Sequence, residues 1–250
     1  MIILATVITV NFFAFIVAYK LQTDKLTDTT YCTSFIIGIW IAYSNNPSVT
    51  ALITAVAISI WAVRLGIYLF YRVYLTGGDH RFDNIRECFV KFALFWTLQT
   101  VSILIILTPH ILIFPQVSGD NNNLLICAVC LFFVGLSLES VADYQKFNFR
   151  RTHDDSQFCN KGLWKIVQHP NYLGEIICWW ALILPLVPFM TGWLWIALCG
   201  PIWITILLTK ISGIPLLQDS WSKKYGHLAS FQDYSKNTPL LIPKLINFRV

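Results

Sequence analysis

Long apolar stretches bounded by polar or turn residues recur along the chain at 2–19, 31–45, 49–72, 89–109, 122–145, 172–190 and 192–212. Most approach the length of about 20 residues that a helix needs to cross about 30 Å of hydrocarbon. The pattern therefore predicts an all-α polytopic membrane bundle of about seven transmembrane helices. The first run has no basic segment before it and no small-residue cleavage site, so it reads as a mature helix rather than a signal peptide. After residue 212 the chain turns amphipathic, with Gly213, Pro215, Pro239 and Pro243. That predicts a cap at the membrane surface rather than an eighth span.

Charge orients this arrangement. Lys and Arg concentrate in 20–30, 73–88, 146–171 and the tail beyond Lys210, whereas 45–48, 110–121 and 190–192 contain none. Under the positive-inside rule, seven crossings with the N-terminus outside place every basic segment and the C-terminal cap in the cytoplasm. The membrane is the bacterial inner membrane or the endoplasmic reticulum, according to the source.

Composition narrows the class further. Of 250 residues, 56% are hydrophobic and only 12% charged, with mean hydropathy +0.61, where a soluble domain carries about 25% charged residues. A soluble globular protein is excluded, and one membrane domain uses residues 1–250. The 18 basic against 13 acidic residues give net +5, but they form no basic stripe, so the expected partner is the lipid bilayer and not nucleic acid. Seven scattered cysteines make no disulfide framework. Cys127 and Cys130, inside an apolar span, read as two small packing residues. The five histidines have no metal-ligand spacing, and no metal site is expected.

Ionisable residues inside apolar spans are costly and by default functional. Arg64, Tyr68, Tyr71 and Arg72 fall on one face of a helix, as do Glu139, Asp143, Lys146 and Arg150. Asn171 and Glu175 stand one turn apart just after His169-Pro170, where the proline sits near a helix start. Interhelical ion pairs and snorkelling side chains account for Arg72 and Lys146 taken alone. The three acids with two arginines exceed what packing requires, and they predict a cytoplasm-facing polar cavity lined by the third, fifth and sixth spans. Lys and Arg suit phosphates, while carboxylates and an amide suit ribose hydroxyls or a carboxamide. A nucleotide cofactor fits that mixture, although no Gly-rich dinucleotide or Walker sequence occurs.

The residues also resemble a known family. Ala142-Asp143-Tyr144-Gln145-Lys146-Phe147, Phe149-Arg150-Arg151, Gly162-Leu163-Trp164, His169-Pro170-Asn171-Tyr172-Leu173-Gly174-Glu175 and Trp179 resemble the steroid 5-alpha-reductase superfamily, within it the branch catalogued as a domain of unknown function. Trp61-x-x-Arg64-Leu65-Gly66, Asp79-His80-Arg81-Phe82, Ser212 to Pro215 and Tyr234 to Pro243 extend the resemblance over about 50–243. It implies a seven-helix reductase that takes NADPH from the cytoplasm and passes hydride to an activated C=C bond of a hydrophobic, lipid-soluble substrate. The implied cofactor-binding residues are Arg64, Arg81, Asp143, Lys146, Arg150, His169, Asn171, Tyr172, Glu175 and Tyr234.

The sequence departs from the family pattern at four points. The run 31–45 has no acid, Trp61 stands where a tyrosine is usual, Glu139 where an asparagine is, and Gln168 where an arginine is. Reduction of an enone needs a hydrogen-bond or proton donor at the carbonyl oxygen. Tyr68 is the first expectation for it, with Tyr71 and Glu139 as the other catalytic candidates. Two other readings stay open. One is an S-adenosylmethionine-dependent membrane methyltransferase, which shares a His-Pro-x-Tyr-x-Gly block; the other is a non-catalytic lipid-binding protein of the same fold.

Overall fold

The computed structural model describes residues 1–76, 82, 85–119, 122–154 and 156–243. Among them are ten α-helices and no strand: α1 (Ile2–Lys20), α2 (Lys25–Asn45), α3 (Val49–Thr76), α4 (Phe89–Ile113), α5 (Asn122–Thr152), α6 (Leu163–Ile166), α7 (Pro170–Ile183), α8 (Cys199–Ile206), α9 (Ile214–Tyr225) and α10 (Ala229–Asn237). Six described segments are long and apolar enough to cross a membrane: Ile2–Lys20, Val49–Leu75, Phe89–Gln116, Asn122–Thr152, Pro170–Phe189 and Gly192–Tyr225. The run 31–45 lies in α2, which is 21 residues long but carries Lys25, Asp28 and several threonines, so it falls outside that set. The architecture is the expected all-α polytopic one.

The last two apolar runs are not uninterrupted α-helices. Pro185 and Pro188 lack the N–H that an α ladder needs, and the chain there tightens into a 3₁₀ stretch at Leu184–Phe189. The run 192–212 begins as another 3₁₀ stretch at Gly192–Leu198, continues as α8 and ends in a π turn at Leu207–Ile211.

The chain divides into two compact units, Met1–Ala128 with Leu182–Trp203, and Val129–Ala181 with Ile204–Val250. In the first, α2 packs against α1, α3 and α4. A polar network joins three of these helices in the interior: Asn11 Nδ2 donates to Ser34 Oγ at 2.9 Å, and Gln99 Nε2 donates to Asn11 Oδ1 at 3.1 Å and to the Thr27 carbonyl at 3.3 Å. Where no water reaches, such pairing is what makes buried amides tolerable. Trp61 is buried, edge-on to Phe35 at 5.4 Å between ring centroids. The tryptophan that stands where the resemblance implies a tyrosine is thus part of an aromatic core.

The second unit contains the lower turns of α5, with α6, α7, α9 and α10. α5 and α7 run antiparallel and meet at glycines. A Cβ added at Gly174 would lie 2.6 Å from both the Gly135 carbonyl oxygen and the Glu139 nitrogen, and one at Gly135 would lie 2.6 Å from the Gly174 oxygen. Small residues at such crossings let backbones approach closely enough for dispersion to hold the helices together. On one side of the crossing Cys178 Sγ approaches the Phe132 oxygen at 3.5 Å. On the other, Asn171 Nδ2 donates to Asp143 Oδ1 at 3.2 Å. Cys127 and Cys130 are free thiols, and both are exposed on α5, which corrects the expectation that they pack.

Candidate functional site

The expected ladder on α5 forms as one descending row. Glu139 and Asp143 are buried, Lys146 is half-buried and Arg150 is exposed. Its lower end is organised by the loop between α5 and α7. Gly162 has φ +59° with ψ −128°, a conformation costly for any residue with a Cβ, and its added Cβ would strike the Gln145 amide at 2.5 Å. The turn lets Gln145 Oε1 accept the Leu163 N–H at 2.9 Å and brings Trp164 under α5, where its Nε1 donates to the Ala142 oxygen at 2.9 Å. Trp164 is completely buried. Gly162-Leu163-Trp164 therefore fixes the loop against α5.

Lys146 is aimed by aromatic faces. Its Nζ lies 4.4 Å from the centroid of Trp164 and 4.8 Å from that of Trp221 on α9, within the range of cation–π attraction. Trp221 in turn stacks on His169, with centroids 5.2 Å apart and planes 8° from parallel, and Tyr172 stacks on the same imidazole at 5.6 Å and 9°. His169 has no exposed surface, and neither ring nitrogen has a hydrogen-bond partner among the described residues. Burial, helped by the Lys146 ammonium, lowers its pKa from 6.5 to about 3, so it is neutral at physiological pH.

This neutrality has a measurable consequence for stability. Below pH 6.5 the unfolded chain binds a proton at His169 that the folded one refuses until about pH 3, so stability falls as pH falls through that window. Between pH 7 and 5 the loss attributable to this side chain is at most about 2 kcal/mol. His169→Phe keeps a flat ring in the stack and cannot titrate. Unfolding midpoints of the purified protein at pH 7 and 5 are expected to drop less for the variant than for the wild type; equal drops would show that His169 is not held neutral.

Lys146 and Arg150 reach a narrow cleft whose other walls are Phe149, Gln157, Phe158, Cys159, Trp221, Tyr225 and Tyr234. One side is cationic and the opposite side is aromatic: Phe158 lies 5.2 Å from Tyr234 and 6.0 Å from Tyr225, centroid to centroid. Its water-accessible space measures about 30 Å³, room for about two waters. Tyr234 donates its hydroxyl proton to the Trp164 carbonyl at 2.6 Å, and burial pushes the phenol's pKa up, which keeps it a donor. Burial likewise raises the Cys159 thiol, outweighing the opposite pull of its hydrogen bond with the Lys161 backbone and of Lys146, Lys161 and Arg150.

Of the residues singled out by sequence, Lys146, Arg150 and Tyr234 line this cleft together. His169 and Tyr172 join it through Trp221, while Asp143 and Asn171 pair beside the helix crossing. Glu139 and Glu175 are buried on α5 and α7 at that crossing, not in the cleft wall. Arg64, Tyr68 and Tyr71 belong to the first unit. There the Arg64 guanidinium lies 5.6 Å over the Tyr68 ring, and Tyr71 is exposed. Arg81 lies outside the described residues. The aromatic wall of Phe158, Trp221 and Tyr225 was absent from the expected site. Its one sequence signal is the i, i+4 spacing of Trp221 and Tyr225 on an amphipathic helix.

No metal-ligating cluster of three or more His, Cys, Asp or Glu occurs among the described residues. A family model described as "Protein of unknown function (DUF1295)" matches residues 14–238. No curated protein and no solved structure matches the chain significantly.

Proposed function

The chain belongs to that family, and on this premise we propose that it is a membrane reductase that uses NADPH to saturate an activated C=C bond in a lipid-soluble substrate. The observation that carries the reading is the convergence of Lys146, Arg150 and Tyr234 on one cleft with an aromatic wall. Two cations facing flat rings suit a ligand that combines phosphates with planar heterocycles. The resemblance to the steroid 5-alpha-reductase superfamily over the Asp143 and His169–Glu175 blocks supplies the choice of NADPH. The donor set fits this cofactor, and when bound it would supply the hydride. Arg150 would meet the 2′-phosphate and Lys146 the pyrophosphate, while Asn171 and Glu175, which stand on α7 outside the cleft wall, would meet the carboxamide and ribose only of a ligand that extends past the cleft.

On this reading the carbonyl conjugated to the reacting alkene gains negative charge as hydride arrives at the far carbon. A proton or hydrogen bond must then be donated to that oxygen, and protonation of the carbon beside the carbonyl completes the saturation. Tyr68 is proposed as the donor, its ring held under Arg64. Tyr68→Phe keeps the ring and its cation–π contact while deleting the hydroxyl. Its kcat on an enone lipid is expected to fall about 100-fold, with NADPH affinity unchanged. Wild-type turnover by this variant would remove Tyr68 from the mechanism. The reading as a whole is tested by ligand binding to the purified protein, with S-adenosylmethionine as the competing cofactor.

A further inference from the structure

Beyond the aromatic packing of α10, the C-terminal segment is tied down by polar links that centre on one side chain. Gln168, buried just before α7, donates its Nε2 to the Thr238 carbonyl at 2.6 Å and to the Ser235 carbonyl at 3.0 Å. Its backbone N–H donates to the Pro239 oxygen at 2.9 Å, and that of His169 to the Leu240 oxygen at 3.0 Å. One residue before Ser235 on the same helix, α10, Tyr234 closes the cleft wall and donates to the Trp164 carbonyl. The polar links are few and lie in residues 234–240, while Phe231 and Tyr234 of α10 also pack on Phe158, each with ring centroids 5.2 Å away. Thr238 is already extended, with φ −92° and ψ 121°, so nothing helical continues past Asn237 to hold the segment in place.

The cleft is narrow: its water-accessible space is about 30 Å³, room for about two waters between its cationic and aromatic sides. Arg150 is exposed and can be reached from outside, but a planar group that enters between Lys146 and the aromatic wall must displace Tyr234 or the segment that carries it. We propose that residues 234–240 are a releasable clasp over the cleft and that Gln168 is the positioning residue that holds it shut. This rests on the nucleotide reading only for the identity of the occupant; the clasp itself is a property of the chain.

A side-chain amide suits this task. Two neutral hydrogen bonds to backbone carbonyls hold the segment without the desolvation cost of a buried charge, which an arginine at this position would carry unless it were paired. Release exposes carbonyls that water can satisfy, so opening is local and reversible.

The clasp can be read without knowing the ligand, through Cys159, which lies in the cleft wall. A water-soluble maleimide is applied to the purified full-length protein in detergent, and labelling of each cysteine is followed by peptide mass spectrometry. In the wild type Cys159 is expected to react slowly, since it is half-buried with its thiol pushed up. Gln168→Ala is expected to accelerate Cys159 labelling about tenfold, and Tyr234→Phe, which keeps the ring and deletes one hydrogen bond, by a smaller factor. Cys178, buried between α5 and α7, must stay unlabelled throughout, which separates clasp opening from unfolding. If Gln168→Ala unfolds the chain, Tyr234→Phe decides alone. Unchanged Cys159 rates in a variant with protected Cys178 overturn the proposal. A second arm adds NADPH to the wild type. Protection of Cys159 supports the nucleotide as occupant, whereas acceleration by Gln168→Ala without protection by NADPH leaves the clasp standing and overturns the cofactor reading.

Discussion

Replacing Gly174 by alanine is expected to cost about 3 kcal/mol, at the upper end of what overpacking a well-packed interior does. The added methyl would lie 2.6 Å from the Gly135 oxygen and from the Glu139 nitrogen, and both are backbone atoms that no rotamer change can move. Relief requires α5 and α7 to separate. That motion would also stretch the Asn171–Asp143 hydrogen bond, now 3.2 Å, and the Cys178–Phe132 contact. Thermal stability of the detergent-purified variant, followed by recovery of the monodisperse protein after heating, should fall by several degrees or more. A variant with the wild-type melting temperature would mean that the crossing is looser than the contact distances require.

The second large effect concerns affinity. Arg150→Ala should weaken NADPH binding about tenfold to a hundredfold while changing NADH binding much less, because a charge-assisted bond to a phosphate contributes about 1.5–3 kcal/mol that the dephosphorylated cofactor never had. Arg150 is exposed at the lower end of the α5 row and lines the cleft, so removing it should leave the fold intact. Fluorescence titration with both cofactors measures the difference. Equal losses for the two would show that Arg150 does not read the 2′-phosphate.

How far the sequence carried this account depends on which residues had a period to reveal them. The row Glu139, Asp143, Lys146 and Arg150 was legible because a 3.6-residue repeat puts these positions on one face whatever packs against it. Its graded burial follows from the polar density rising toward the end of α5. Within the all-apolar stretch around Cys127 and Cys130 no polar residue marks the outward face, and the two thiols turned out exposed. Gly174 was legible as part of a motif, but a glycine that lets a ligand approach and one that lets a helix approach look alike until the partner backbone is known. The aromatic wall was hidden for another reason: Phe158 sits in a loop without periodicity, and Trp221 and Tyr225 arrive from a helix more than sixty residues later. Gln168 was visible only as a departure from an expected arginine. Its use became plain when its amide was found on the Ser235 and Thr238 carbonyls.

The central claim is that the cleft bounded by Lys146, Arg150 and Tyr234 belongs to NADPH. The most direct test is an equilibrium titration of the purified, full-length protein with NADPH, run beside an identical titration with S-adenosylmethionine. Saturable NADPH binding that is weakened by Arg150→Ala, with no saturable binding of S-adenosylmethionine, is the predicted result. Saturable binding of S-adenosylmethionine in place of NADPH, or of neither, would contradict it.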